Sequence, residues 1–143
     1  MRFMVLVKAD AHSEAGELPD GEMLAKMGKF NEELSKAGIL LAGEGLKPSS
    51  KGARIQFTGD KRTVVDGPFT EAKELIAGFW MLQVKSREEA IEWMKRCPKP
   101  YKGDGHIEIR QVFEADDFAA SDPTGELRQK EAELRAKIDA KRA

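Results

Sequence analysis

Asp66 stands where an extended run ends. Val64-Val65-Asp66 leads into Gly67-Pro68-Phe69, followed by Thr70-Glu71-Ala72-Lys73-Glu74. Proline fixes its own φ and pushes the preceding residue towards extended backbone, so the carboxylate is presented at a strand end in a defined direction. A carboxylate placed there can serve as a general base or accept a hydrogen bond from a ligand, the more readily if burial raises its pKa. The plainer role is an Asx turn, in which the side chain bonds nearby amides and builds the corner. Lys73, three residues past Thr70, is spaced to reach back to Asp66 or to a substrate anion. Phe69, Phe79 and Trp80 are placed to line an aromatic pocket or to fill the core. Glu71 and Glu74 read as solvated charges.

Glu44 sits between Gly43 and Gly45 in an otherwise apolar run. A carboxylate in such surroundings needs a cationic partner, and Arg110 is the expected one. Together they would form either the polar floor of a pocket or an ion pair at a dimer interface. His106, after Gly103-Asp104-Gly105, reads as a ligand contact or a surface residue. His12 lies in a polar loop. Cys97 precedes Pro98 at a helix end, where the dipole disfavours a thiolate, so it reads as structural. Two distant histidines and one cysteine give no metal-ligand spacing. No metal and no cofactor are expected, and no nucleophile elbow, phosphate loop or dinucleotide fingerprint is present.

The elements that must hold these residues are readable in outline. Arg2–Lys8 and Gly78–Val84 are apolar on both alternating faces, as central strands are. Asp20 is a helix N-cap, Leu24, Met27, Phe30 or Asn31, and Leu34 recur at helical spacing, and Gly38 supplies the stop. Residues 39–46 form a second extended run whose glycines point to a bulge or a close backbone approach. Residues 54–58 and 63–66 read as a hairpin joined by 59–62. Ser86 caps a helix over 87–96, with Ala90, Ile91 and Met94 inward, and 106–113 is the last strand. Strand, helix, strand, hairpin, strand, helix, strand gives an α+β fold. We expect a ferredoxin-like βαβ-βαβ sandwich with an inserted β-hairpin and both helices on one sheet face.

That leaves apolar residues on the other face of the two central strands. A large exposed apolar face is rare in a monomer, so a homodimer through the open sheet face is expected, with a loop lying over the sheet as the alternative. With 143 residues, 24 basic and 25 acidic, the chain has no field that would draw nucleic acid or an anionic membrane. The single cysteine suits a reducing compartment, and the start of the chain reads as neither signal peptide nor membrane span; a cytoplasmic protein is expected. After Ser121-Asp122-Pro123 the tail carries ten charges over 124–142 and only a thin apolar stripe, so a mostly solvated C-terminal helix is expected. Two parts follow: 1–118, holding the candidate residues, and the charged helical tail 119–143.

The corner Asp66-Gly67-Pro68-Phe69 resembles the signature of the Asp-Gly-Pro-Phe branch of the YCII-related proteins. Phe30-Asn31-Glu32-Glu33-Leu34, the run from Gly38 to Leu46, Gly78-Phe79-Trp80, Glu89-Ala90-Ile91-Glu92-Trp93, Cys97-Pro98 and Ile107-Glu108-Ile109-Arg110 extend the likeness in order over about 1–115. The resemblance implies a ferredoxin-like fold of dimeric α/β-barrel type and mostly unassigned activity. Some related proteins act on chlorinated aromatic substrates, and some members of this branch occur beside regulatory sigma factors. It also implies a His–Asp pair, but matching by the Gly38 stop and by Pro98 sets Met27 and Cys97 at those two positions. Three functions follow. The first is a protein binding a small organic ligand near the Asp-Gly-Pro-Phe corner. The second is a cofactor-independent enzyme on a small aromatic or organic acid, with Asp66 as acid/base and Lys73 or Arg110 steadying negative charge. The third is a regulatory protein-interaction module.

Overall fold

A computed structural model of the protein describes residues 1–142. The chain divides by its contacts into two units, Met1–Gln111 and a second from Val112 onward. In the first, the strands β1 (Arg2–Lys8), β2 (Leu40–Gly45), β5 (Ile76–Gln83) and β6 (Ile107–Gln111) form one sheet in the order β2-β5-β1-β6. Every neighbouring pair is antiparallel. The two strands read as apolar on both faces are therefore the two central ones. Helices α2 (Gly21–Lys36) and α3 (Arg87–Met94) join β1 to β2 and β5 to β6, each connection skipping one strand. The arrangement is roughly ferredoxin-like, and neither sheet closes into a barrel.

Strand periodicity decides what each face holds. Phe3 and Val5 of β1, and Trp80 and Leu82 of β5, turn to the helices and are buried. They meet Phe30 and Leu34 of α2 and Ala90 and Met94 of α3 in one cluster. Phe30 and Trp80 pack edge to face, 6.0 Å between centroids, and the indole N–H donates to Asn31 Oδ1 at 2.8 Å. Phe30 is thus the core residue and Asn31 its polar neighbour, which resolves the ambiguity in the helical spacing. The alternate residues Met4, Leu6, Phe79 and Met81 lie on the other sheet face, half-buried and outside that cluster.

Caps fix the helix ends. Asp20 accepts the Met23 amide at 2.8 Å, and Ser86 accepts the Glu89 amide at 3.1 Å. Gly38 ends α2 at φ +74°, a conformation that a side chain would strain. Part of the supposed loop before α2 is helical: α1 (Ala11–Glu14) is closed by a capping box between Asp10 and Ser13. Both features expected of the glycine-broken strand are found. The β2–β5 register slips between Leu40 and Ala42, and a Cβ on Gly43 would stand 3.0 Å from Trp80 Cδ1.

The hairpin is longer than its sequence suggested. Strands β3 (Ala53–Thr58) and β4 (Lys61–Asp66) are joined by Gly59-Asp60 alone, with Gly59 at φ +58°. They form a separate two-stranded sheet, every residue of which is exposed. The last strand is shorter than expected, and His106 precedes it.

In the second unit, a 3-10 turn over Ala115–Ser121 precedes α4 (Glu126–Arg142). Asp122 is the start signal for that helix. Its carboxylate takes the Leu127 and Arg128 amides and the Arg128 Nε–H, at 3.2, 3.0 and 3.2 Å. None of the described residues of α4 is buried, as the charge pattern required.

Candidate functional site

The Asp-Gly-Pro-Phe corner is built by other residues than its aspartate. Gly67-Pro68 is a cis peptide, and the Gly67 amide donates to the Gly52 carbonyl at 3.0 Å. A Cβ on Gly67 would run into the Ser49 carbonyl oxygen, so only glycine fits there. The Ser49 hydroxyl accepts the Phe69 amide at 3.0 Å and donates to Glu14 Oε2 at 3.0 Å, and the Ser49 amide reaches the same oxygen at 2.9 Å. Glu14, Ser49 and Phe69 therefore tie α1, the β2–β3 connection and the corner together. Arg54 adds a guanidinium 3.8 Å over the Phe69 ring and lies 4.0 Å from Glu71.

Asp66 itself is exposed at the end of β4, opposite Ala53. Among the described residues its side chain has no hydrogen bond, so the Asx turn is not how the corner is made. Lys73 is exposed in the 3-10 turn Ala72–Glu74 and does not pair with Asp66.

The expected Glu44–Arg110 pair is corrected by the strand order. Glu44 lies on β2 and Arg110 on β6, the two edges of the sheet, roughly 14 Å apart at the usual strand spacing. Arg110 instead meets Glu108 at 3.3 Å, and Glu44 stands exposed opposite Phe79. His106 is exposed, and its carbonyl accepts from the Tyr101 hydroxyl. The six candidates thus occupy the corner and the sheet edges, and none of them lines the cleft beside the start of α2.

That cleft measures about 700 Å³, and none of residues 66–69 lines it. Its walls are the start of α2, the loop before it, the chain after β2, and residues 99–102 after α3. Pro48 lines it, while the next residue, Ser49, anchors the corner. Met23, Met27, Leu46 and Pro100 give it an apolar floor. Tyr101 contributes a ring edge, its hydroxyl held by the Lys8 and His106 carbonyls at 2.8 and 2.9 Å, one at a time. Burial raises the pKa of that phenol and keeps it a neutral donor.

The charged groups around the cleft are unequally committed. Asp10 and Asp20 are helix caps, Glu17 accepts His12 Nδ1 at 2.8 Å and Lys102 Nζ lies 3.6 Å from it, and Glu22 pairs with Lys26 at 3.1 Å. The hydrogen bond from His12 holds the Glu17 carboxyl below its ordinary range. Among the described residues lining the cleft, Lys47 and Lys99 have no ion-pair partner. Four carboxylates and four lysines line the cleft, so its formal charge balances, and the two lysines outside any ion pair are the cations left to meet a ligand. No group of histidine, cysteine, aspartate and glutamate able to hold a metal occurs among the described residues. Sequence reasoning missed Glu14, Ser49, Tyr101, Lys47 and Lys99. The one signal was Tyr101, the sole tyrosine of the chain, beside two prolines.

Residues 1–116 match the YCII-related domain. The chain belongs to the YCII-related family. An uncharacterised protein of Rhizobium meliloti is 25% identical over 93 residues, covering 65% of this chain and 75% of its own length. Among solved structures, 5-chloro-2-hydroxyhydroquinone dehydrochlorinase (TftG) from Burkholderia phenoliruptrix AC1100, in complex with 2,5-dihydroxybenzoquinone, matches at 12% identity. Its TM-score is 0.41, with 82% of this chain and 98% of that one covered. Within this YCII-related chain, Met27, set at the family's histidine position by the resemblance, lines the cleft. A thioether there neither accepts nor gives a proton. Cys97, set at the aspartate position, is half-buried, and burial pushes its thiol up to about 11. Neither residue can replace a His–Asp pair in proton transfer at neutral pH. Among the described residues no helix is long and apolar enough to cross a membrane.

Proposed function

We propose that this YCII-related protein is a cytoplasmic homodimer, joined through the open sheet face, that binds a small organic anion in the cleft beside the Asp-Gly-Pro-Phe corner. The observation that carries the reading is the cleft's composition: an apolar floor with two uncommitted lysines and a neutral phenol at its walls. An apolar body with a carboxylate or phenolate suits such a site, because Lys47 or Lys99 neutralises the charge while Met23, Met27 and Leu46 cover the ring or chain. The volume of about 700 Å³ is within the range of small-molecule sites and is ample for a substituted aromatic acid.

A second reading makes the protein a cofactor-independent enzyme on the same class of compound, with Asp66 as acid/base. It is supported by family membership and by a carboxylate that the corner does not consume. Thermal shift against a panel of aromatic and aliphatic carboxylates, phenols and their neutral esters tests both. The binding reading expects acids to raise the melting temperature and esters not to, with Lys99→Met and Lys47→Met each weakening the effect about three- to tenfold in midpoint concentration, an energy typical of one charged contact. Equal responses to acid and ester would overturn it. The enzymatic reading further requires turnover of a stabilising acid by the wild type and its loss in Asp66→Asn.

A further inference from the structure

The hairpin poses a problem that the first unit does not solve by itself. Register places Ile55 opposite Val64 and Phe57 opposite Arg62, so Ile55, Phe57 and Val64 share one face. They are 59%, 66% and 66% exposed. A lone two-stranded ribbon is marginal in water, and an exposed apolar strand invites pairing with another chain. The four-stranded sheet has the matching deficit. Its rows Glu44–Phe79–Leu6–Glu108 and Ala42–Met81–Met4–Arg110 put Phe79, Leu6, Met81 and Met4 outside the helix-packed cluster, the first row between two carboxylates and the second between Ala42 and Arg110.

We propose that the β3–β4 hairpin is an arm that seats Ile55, Phe57 and Val64 on the open sheet face of a second copy, with Arg62 meeting Glu44 across the twofold axis. The inference deepens, and rests on, the homodimer reading above. The two deficits lie in one chain, which is the condition for an isologous pair in which each copy gives an arm and receives one. Charge supports the same occupant. Among the described residues neither Arg62 nor Glu44 has an ion-pair partner; Arg62 lies 4.8 Å over the Phe57 ring, on the arm's apolar face. Area supports it as well. Three such side chains offer on the order of 300 Å², below the roughly 800 Å² per partner of a stable interface, so an arm suffices only as part of a sheet-face dimer. The arm is also rooted in the cleft: Leu46, Lys47 and Pro48, between β2 and the hairpin, line it. Clasping the arm therefore fixes one wall of the ligand site.

Light scattering on size-exclusion eluate, with circular dichroism to confirm folding, tests the arm. The wild type elutes at twice the chain mass. Phe57→Asp, Arg62→Glu and Glu44→Arg each raise the dimer dissociation constant about tenfold or more, as loss of an interfacial contact does. The charge-swapped double variant, Arg62→Glu with Glu44→Arg, returns to near the wild-type value. A folded dimer indifferent to Phe57→Asp, or a double variant that does not recover, overturns the arm. Leu6→Glu separates the two readings: if it alone dissociates the dimer, the sheet-face interface stands without the arm. A monomeric wild type removes the homodimer reading too, and a folded Leu6→Glu dimer removes its sheet-face interface.

Discussion

Ser49, not Asp66, holds the corner in shape. Its hydroxyl satisfies the Phe69 amide while donating to Glu14, so its removal leaves a part-buried N–H without a partner. Such a loss costs about 1–3 kcal/mol. Urea unfolding should therefore find Ser49→Ala destabilised by that amount, whereas Asp66→Asn, exposed and free of hydrogen bonds, should fall within about 0.5 kcal/mol of wild type. The reverse order would return Asp66 to the role of corner-builder. Sequence could show that a rigid turn stands at Gly67-Pro68. It could not show what braces it, because Glu14 and Ser49 are separated from each other by 35 residues and from the corner by about 20 more. The cleft was hidden for the same reason: its lysines and Tyr101 come together only when the loop after α3 meets the start of α2. Glu44 and Arg110 illustrate the opposite error. Both lie in the same sheet, but opposite charge alone does not say which edge each occupies.

Elements were more legible than site residues because their signals are local. Alternating apolar runs identified β1 and β5, and a two-face apolar pattern identified them as central. Asp20, Gly38 and Ser86 marked helix ends by mechanisms that act within one turn. The start of α4 is a further local device, and it carries a pH dependence. Hydrogen bonds, first from the Arg128 amide, hold the Asp122 carboxyl below its ordinary value. A carboxylate depressed on folding stabilises the folded form above its unfolded pKa of about 3.9, and that contribution is lost as pH falls through the lower folded value. Protection factors at Leu127 and Arg128, taken relative to the intrinsic exchange rate at each pH, should thus hold from neutral pH down to about 4 and fall below it, with Asp122→Asn lowering them at pH 7 as well. Protection unchanged in Asp122→Asn at both pH values would show that the cap does not hold the helix start.

At the scale of the whole molecule, a chain with an open sheet and a near-neutral charge balance carries two further surfaces. One is the cleft whose uncommitted charges are lysines, and the other is the exposed hairpin beside it along the chain. Met27 lines the cleft as a thioether and burial keeps the Cys97 thiol protonated, which is consistent with the ligand-binding function proposed above. The decisive measurement is a titration of isotopically labelled wild-type protein with benzoate, followed by amide chemical shifts. Saturable shifts are expected, concentrated at residues 23–27, 46–48 and 99–102, reduced in Lys99→Met and not reproduced by methyl benzoate. Shifts gathered instead around Asp66 and Lys73, or shifts of equal size with the neutral ester, would contradict it.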